Sequence, residues 1–118
     1  MNFDVKHYAY IGDCVWELFV RKKVIKLTTK TEIMHKLTTK YVCAEFQAQL
    51  IEKISPKLTQ DELEIQKRAR NIKMTVKKRS NPSLHALATS FEAICGYLYL
   101  NNKQRLKEIL EPIIEEMI

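Results

Sequence analysis

Glycine and proline are scarce in this sequence, and their scarcity restricts the possible folds more than any other feature does. The 118 residues include only two glycines and three prolines, which leaves few of the turns that an all-β protein requires. Hydrophobic residues make up 46% of the chain, enough for one buried core, and this length suits a single domain. We therefore expect one all-α domain.

Apolar residues recur with the period of a helix in five segments. The predicted helices cover about residues 4–23, 33–54, 59–70, 83–100 and 104–118. Ile11, Val15 and Leu18 are predicted to face the core from the first helix. Thr31 is predicted to be the N-cap of the second. No segment shows the alternation of a strand, so helices should make up all of the regular structure.

Neither a membrane segment nor an export signal is expected. Polar residues interrupt the N-terminal segment early, and the longest apolar run, residues 93–100, is too short to cross a bilayer. Cys14, Cys43 and Cys95 lack metal-ligand spacing and lie in apolar surroundings. We expect them to be buried, reduced thiols of a cytoplasmic protein, without zinc or a disulfide.

Two acidic residues stand inside otherwise apolar helices. Asp13 lies in AYIGDCVWEL, with no basic residue within a helical turn on its C-terminal side, and Glu92 lies in ALATSFEAICGYLYL. A buried carboxylate is normally paired, protonated or bound to a metal. Ala88 and Gly96 share a helix face with Glu92, and these small residues would let the first helix approach near Gly12. In that packing, Asp13 and Glu92 would converge.

Two carboxylates in one site either share a proton or hold a divalent cation. Mg²⁺ is often held by one or two carboxylates together with waters and substrate phosphates, and beside a basic segment such a site suits phosphodiester hydrolysis. The same pattern also fits acids that pair with a lysine or cap a neighbouring helix. The role of Glu17 is also open, since its carboxylate could orient a metal-bound water or pair with Arg21.

Basic side chains cluster between residues 66 and 80, where no acid occurs. With a net charge of +6, this cluster indicates an anionic partner, and it suits the phosphates of a nucleic acid. The alternative is that this cluster is an ordinary solvated surface. The same alternative applies to His35 and Lys36 on the second helix. The candidate RNA-contact residues are Lys67, Arg68, Arg70, Asn71, Lys73, Lys77, Lys78 and Arg79, together with His35 and Lys36 of the second helix.

Four stretches of the sequence match a known family. AYIGDCVWELFVRKK resembles the signature helix of the ribonuclease III family, and ATSFEAICGYLYL resembles its second acidic motif. HKLTTKYVCAEFQAQLI and KRARN resemble stretches of the bacterial Mini-ribonuclease III branch, which has the catalytic domain without the double-stranded-RNA-binding domain. This resemblance implies a single ribonuclease III-like catalytic domain over residues 1–118, all-α with about five to seven helices.

The resemblance also implies an activity. Asp13 and Glu92 would be catalytic and would ligate Mg²⁺, and Tyr10 would lie in the contact of a homodimer. The implied reaction is endonucleolytic cleavage of double-stranded RNA, a precursor of 23S ribosomal RNA, with a 5′-phosphate left at the cut. A large-subunit ribosomal protein is a further expected partner.

The sequence departs from the family pattern at several positions. Lys6, Ala9 and Thr89 stand where full-length ribonuclease III has further acids, and Ala69 replaces an expected glycine in KRARN. The missing acids support an alternative function, a non-catalytic RNA- or ribosome-binding module on the same scaffold. A basic helical DNA-binding domain is a third reading, but no helix combines a turn glycine with a base-reading face.

Overall fold

The computed structural model describes residues 3–72 and 81–118, and within these ranges the regular structure is entirely helical. The elements are α1 (Val5–Val24), α2 (Thr31–Val42), α3 (Ala44–Ile54), a 3₁₀ turn (Ser55–Lys57), α4 (Gln60–Arg70), α5 (Pro82–Asn101) and α6 (Lys103–Met117). The predicted all-α class is therefore confirmed. In the described part of the chain, no helix has both the length and the apolar character needed to span a bilayer.

Two helices have side-chain caps at the residues where the predicted helices begin. The Asp4 side chain accepts a hydrogen bond from the Lys6 N–H at 2.9 Å and caps α1. Thr59 and Glu62 form a reciprocal capping box at the start of α4, the arrangement that satisfies two free N–H groups at once. The prediction for Thr31 is wrong, because it is the first residue of α2 and no side chain caps that helix.

The core is built around α1 and α5. These two helices make the most extensive contact, α3 and α4 pack against α5, and α2 packs against α1. Trp16 and Phe91 are fully buried, and their rings meet edge to face with centroids 5.1 Å apart. This aromatic pair fixes the centre of the interface between α1 and α5.

The buried face of α1 differs in part from the predicted one. Val15 is buried, but Leu18 is 54% exposed, because α5 covers the side of α1 that carries Gly12 and Trp16. The expectation of buried thiols is correct for Cys95 and wrong for Cys14, which is exposed on the same outer side as Leu18.

The predicted second helix is in fact two helices, broken at Cys43. Cys43 is extended, with φ −72° and ψ 160°, and its thiol donates to the Lys40 carbonyl at 3.3 Å. The break changes the direction of the chain, so that α2 packs on α1 while α3 packs on α5. No glycine or proline marks this position.

Side chains take over the carbonyls that the break leaves without a helical partner. The indole N–H of Trp16 donates to the Tyr41 carbonyl at 2.9 Å. The Gln47 amide donates to the next carbonyl, that of Val42, at 3.2 Å. The end of α2 is thus held by one residue of the core and by one residue of α3.

The backbones of α1 and α5 touch at two glycines. A Cβ atom at Gly12 would overlap the Glu92 carbonyl, and a Cβ atom at Gly96 would overlap the Tyr8 carbonyl. This agrees with the prediction that a face of small residues on α5 lets α1 approach near Gly12.

We predict that Gly96→Ala lowers the free energy of unfolding. Alanine normally gains about 1 kcal/mol over glycine inside a helix, but here its methyl group must push two backbones apart, and such overpacking costs about 1–3 kcal/mol. Urea unfolding measures the change. The control is Gln104→Ala on the exposed start of α6, which should stay within about 0.5 kcal/mol of the native protein. A Gly96→Ala variant more stable than the native chain, as expected for alanine in an ordinary helix, would contradict the contact.

Candidate active site

The close contact of α1 and α5 brings Asp13 and Glu92 together. Asp13 follows Gly12, which lies against the backbone carbonyl of Glu92. The two carboxyl groups interact by a hydrogen bond and by charge. The structure thus places side by side the two acids that the sequence singles out.

The two carboxyl groups differ in exposure. Asp13 is exposed, contrary to the expectation that it is the buried acid, because it lies at the edge of the buried face of α1. Glu92 is the half-buried one. Burial raises the pKa of Glu92 to about 8, and the negative charge and hydrogen bond of Asp13 contribute to the rise. Near neutral pH, the metal-free pair therefore retains a proton.

In the described ranges, no basic side chain forms an ion pair with Asp13 or Glu92. The ion pairs there include neither Asp13 nor Glu92. Glu17 does have a partner, since its carboxylate lies 2.7 Å from the Arg21 guanidinium. The alternative that a lysine neutralises the acid pair has no support in the described residues, whereas Glu17 pairs with Arg21.

The donor set of this site fits a hard divalent cation. Two carboxylates with solvent access on the Asp13 side are the protein ligands that Mg²⁺ often takes, its remaining positions being filled by water and phosphate oxygens. A bound cation would also relieve the repulsion that raises the pKa of Glu92. Within residues 3–72 and 81–118, no group of three or more His, Cys, Asp or Glu residues is placed to hold a metal. The protein therefore offers two acids here.

Gln47 of α3 is a member of the site that sequence reasoning missed. Its side chain is only 1% exposed, and its amide donates to the Val42 carbonyl at 3.2 Å. The amide also opposes the rise of the Glu92 pKa. In the sequence, Gln47 appears only as one member of the core stripe of its helix. The signal that could have identified it is the polar amide side chain of Gln47 among the apolar core positions of α3.

Part of the basic segment borders a groove between the end of α4 and the start of α5. Lys67, Arg70 and Asn71, at the end of α4, line a cavity of about 710 Å³ together with Leu87 of α5. Leu87 precedes Glu92 by five positions, about 7.5 Å along a helix. Arg68 is also exposed at this end of α4. The other predicted RNA contacts of this segment, Lys73, Lys77, Lys78 and Arg79, lie outside the described residues.

His35 and Lys36 are exposed on α2, away from the α4 groove. His35 lines a separate cavity of about 280 Å³ with Arg21. The structure does not bring these two residues together with the basic end of α4 in one groove.

The outer side of α1 carries an exposed apolar stripe. Tyr10 is 84% exposed and Leu18 54% exposed, and Cys14 lies exposed between them at the same helical spacing. This stripe, Tyr10–Cys14–Leu18, runs beside Asp13 and is suited to contact with another surface.

Comparison with known proteins gives a consistent result. The family model described as "Ribonuclease III domain" matches residues 6–103. A Mini-ribonuclease 3 of Gloeobacter violaceus is 43% identical, over 92% of this chain and 81% of that protein. A Mini-ribonuclease 3 of Thermoanaerobacter sp. is 40% identical, over 92% of this chain and 80% of that protein. A crystal structure of a Fusobacterium nucleatum protein superposes with a TM-score of 0.87 at 29% identity, covering 99% of this chain and 96% of that one.

The raised pKa of Glu92 predicts how the metal-free protein responds to pH. The ordinary pKa of this group is 4.5 and its folded value about 8, so the folded state binds more protons than the unfolded state between these values. Stability from the retained proton is complete below pH 4.5 and is lost as pH rises through 8. Each pH unit removes at most about 1.4 kcal/mol.

Glu92→Gln removes this proton binding, so the stability of the variant relative to the native chain should increase from pH 5 to pH 8. Denaturant unfolding in chelator measures the difference. The matched control, Glu108→Gln on the exposed face of α6, should show no such trend. A native-to-Glu92→Gln difference independent of pH would contradict the raised pKa.

Proposed function

The chain belongs to the ribonuclease III family and is an endoribonuclease, and we propose that it hydrolyses double-stranded RNA with a Mg²⁺ ion held by Asp13 and Glu92. The observation that carries the proposal is the convergence of these two carboxyl groups at the α1–α5 contact. Two carboxylates this close repel each other, and a bound divalent cation would offset that repulsion.

The two acids have distinct roles in this proposal. Glu92, on the largely buried helix α5, would anchor the metal, and it would lose its proton on binding because only the carboxylate is a ligand. Asp13 is exposed, so it completes the site on the side from which an RNA phosphate approaches. A metal held by these two residues would supply an activated water and would neutralise charge that develops on the phosphate. Cleavage leaves a 5′-phosphate and a 3′-hydroxyl.

The basic end of α4 is the proposed RNA contact. Lys67, Arg68, Arg70 and Asn71 would contact phosphates of a duplex whose scissile bond lies at the carboxylate pair, and Lys73, Lys77, Lys78 and Arg79 would extend that contact. His35 and Lys36 would contact a second part of the duplex from α2. Recognition would depend mainly on the shape of A-form RNA, and affinity would fall steeply as salt rises.

A homodimer would allow both strands to be cut. The stripe Tyr10–Cys14–Leu18 is the proposed contact, because it is the exposed apolar side of the helix that also carries Asp13. An interface there would keep the acids of the two copies in a fixed relation, with each copy cutting one strand.

The proposed substrate is a precursor of 23S ribosomal RNA, and the proposed further partner is a large-subunit ribosomal protein that presents it. The similarity to relatives named Mini-ribonuclease 3 supports this choice. Bacterial ribosomal RNA is made in the cytoplasm, so the proposal places the enzyme there. Residues 1–118 would act as one catalytic domain, of which the family model matches 6–103.

One observation favours a second candidate, a non-catalytic RNA-binding module. Within the described residues the site has two acids and no third ligand nearby, and Ala9 and Thr89 stand where the larger relatives have acids. Such a module would bind the same duplexes without cutting them.

The test is cleavage of a labelled RNA duplex with and without Mg²⁺. The native chain should cut only with the metal, and Asp13→Asn and Glu92→Gln should each lower the rate more than about 100-fold, because loss of a ligand exceeds the usual effect of losing an outer-shell partner. Duplex binding should persist in both variants. The matched controls, Asp61→Asn and Glu108→Gln at exposed positions of other helices, should cut like the native chain. Binding without cleavage at every metal concentration would establish the second candidate instead.

A further inference from the structure

The two helix faces that carry the acid pair, Asp13 and Glu92, also carry a lysine and a tyrosine. Lys6 precedes Asp13 by seven residues, and Tyr99 follows Glu92 by seven residues. Seven residues make two turns of a helix to within about 20°. Each of the two residues therefore shares the face of its acid, at a distance of about 10 Å along the helix axis.

The backbone contacts put this lysine and this tyrosine at the same end of the acid pair. Gly12 lies against the Glu92 carbonyl, and Gly96 lies against the Tyr8 carbonyl. Residue numbers therefore fall along α1 as they rise along α5, so the two helices are antiparallel where they touch. The direction that leads to the lysine on α1 is consequently the direction that leads to the tyrosine on α5.

A second lysine reaches the same end from α6. The Lys103 ammonium lies 4.8 Å from the centre of the Tyr99 ring, which is a cation–π contact. Lys6 and Lys103 are exposed, and Tyr99 is half-buried. Among the described residues, neither lysine forms an ion pair. These three residues are the Lys6–Tyr99–Lys103 cluster.

The stability of the helices does not explain the two lysines of the cluster. Lys6 is the second residue of α1 and Lys103 is the first residue of α6, where the positive end of the helix dipole disfavours a cation. The first turn of each helix contains no acid. The carboxylate of Asp4 is nearby, but it accepts from the Lys6 backbone N–H as the cap of α1. Two cations placed against the dipoles of their own helices indicate a role in attracting an external anion.

We propose that the Lys6–Tyr99–Lys103 cluster binds a backbone phosphate of the RNA strand whose scissile phosphate lies at Asp13 and Glu92. The inference rests on the proposed function for the position of the scissile phosphate. The two ammonium groups neutralise phosphate charge, and the phenol hydroxyl can donate to a phosphate oxygen. Because the cluster lies about 10 Å from the acids, it contacts a phosphate that is not cut. Its role is to set the path of the strand across the acid pair.

The first test measures duplex binding in chelator, by fluorescence anisotropy at several salt concentrations. Lys6→Gln and Lys103→Gln should each weaken binding about 3- to 10-fold and reduce the slope of log affinity against log salt by about 1. Tyr99→Phe keeps the ring beneath Lys103 and removes only the hydroxyl, so its effect should be smaller. Lys6→Arg keeps the charge and should retain most of the affinity.

The matched control is Lys22→Gln. Lys22 is another exposed lysine of α1, and its ammonium lies 6.0 Å from the centre of the Phe19 ring. It follows Asp13 by nine residues, which is two and a half turns, so it lies on the opposite side of the helix. The control removes the same charge and should leave affinity and salt slope unchanged. Native affinity in both Lys6→Gln and Lys103→Gln, or an equal loss in the control, would overturn the proposal.

The second test locates the contact with single methylphosphonates, each of which removes the charge of one phosphate near the scissile bond. One such substitution should weaken binding to the native chain and have no further effect on Lys6→Gln, because that contact is already lost. Equal effects of every substitution on both proteins would overturn the proposal.

Both tests are made without metal, so they are separate from the proposed hydrolysis. A native chain that binds the duplex but never cuts it would refute the hydrolysis, and the binding measurements would still decide the role of the cluster. A native chain that binds no duplex would overturn both proposals.

Discussion

The backbone contact between α1 and α5 determines both the core and the candidate site. Gly12 and Gly96 have no room for a Cβ atom, so the two helices lie closer than side chains would normally allow. Trp16 and Phe91 fill one side of this contact, and Asp13 and Glu92 lie on another. The short distance between the backbones of α1 and α5 therefore determines both the packing of the aromatic pair and the repulsion between the carboxylates.

The sequence predicts those features that depend on local chemistry or on helical spacing. Most helix limits follow from the 3.6-residue period. The one predicted cap, Thr31, is wrong, and the caps at Asp4 and Thr59 are features that the sequence predicts only as the starts of helices. The meeting of α1 with α5 was also predictable, because Ala88 and Gly96 leave the face around Glu92 without bulk. The pairing of the two acids follows from that face. Their role as metal ligands remains a prediction.

The features that the sequence does not predict depend on contacts between distant segments. The break at Cys43 has no glycine or proline to mark it, and it is stabilised by Trp16, 25 positions away from Tyr41. The exposure of Asp13, Cys14 and Leu18 depends on which side of α1 is covered by α5. A periodic pattern shows how wide the buried face of a helix is. It does not show, to within one residue, which way that face points around the helix axis.

The break also connects the core to α3. Tyr41 and Val42 carry consecutive carbonyls, of which one is held by the indole of Trp16 and the other by the buried amide of Gln47. These two carbonyls belong to consecutive residues, so Trp16 and Gln47 hold the same short stretch of backbone. Repacking around Trp16 would therefore disturb the end of α2 that Gln47 also holds, so thermal adaptation of this core is coupled to the turn between α2 and α3.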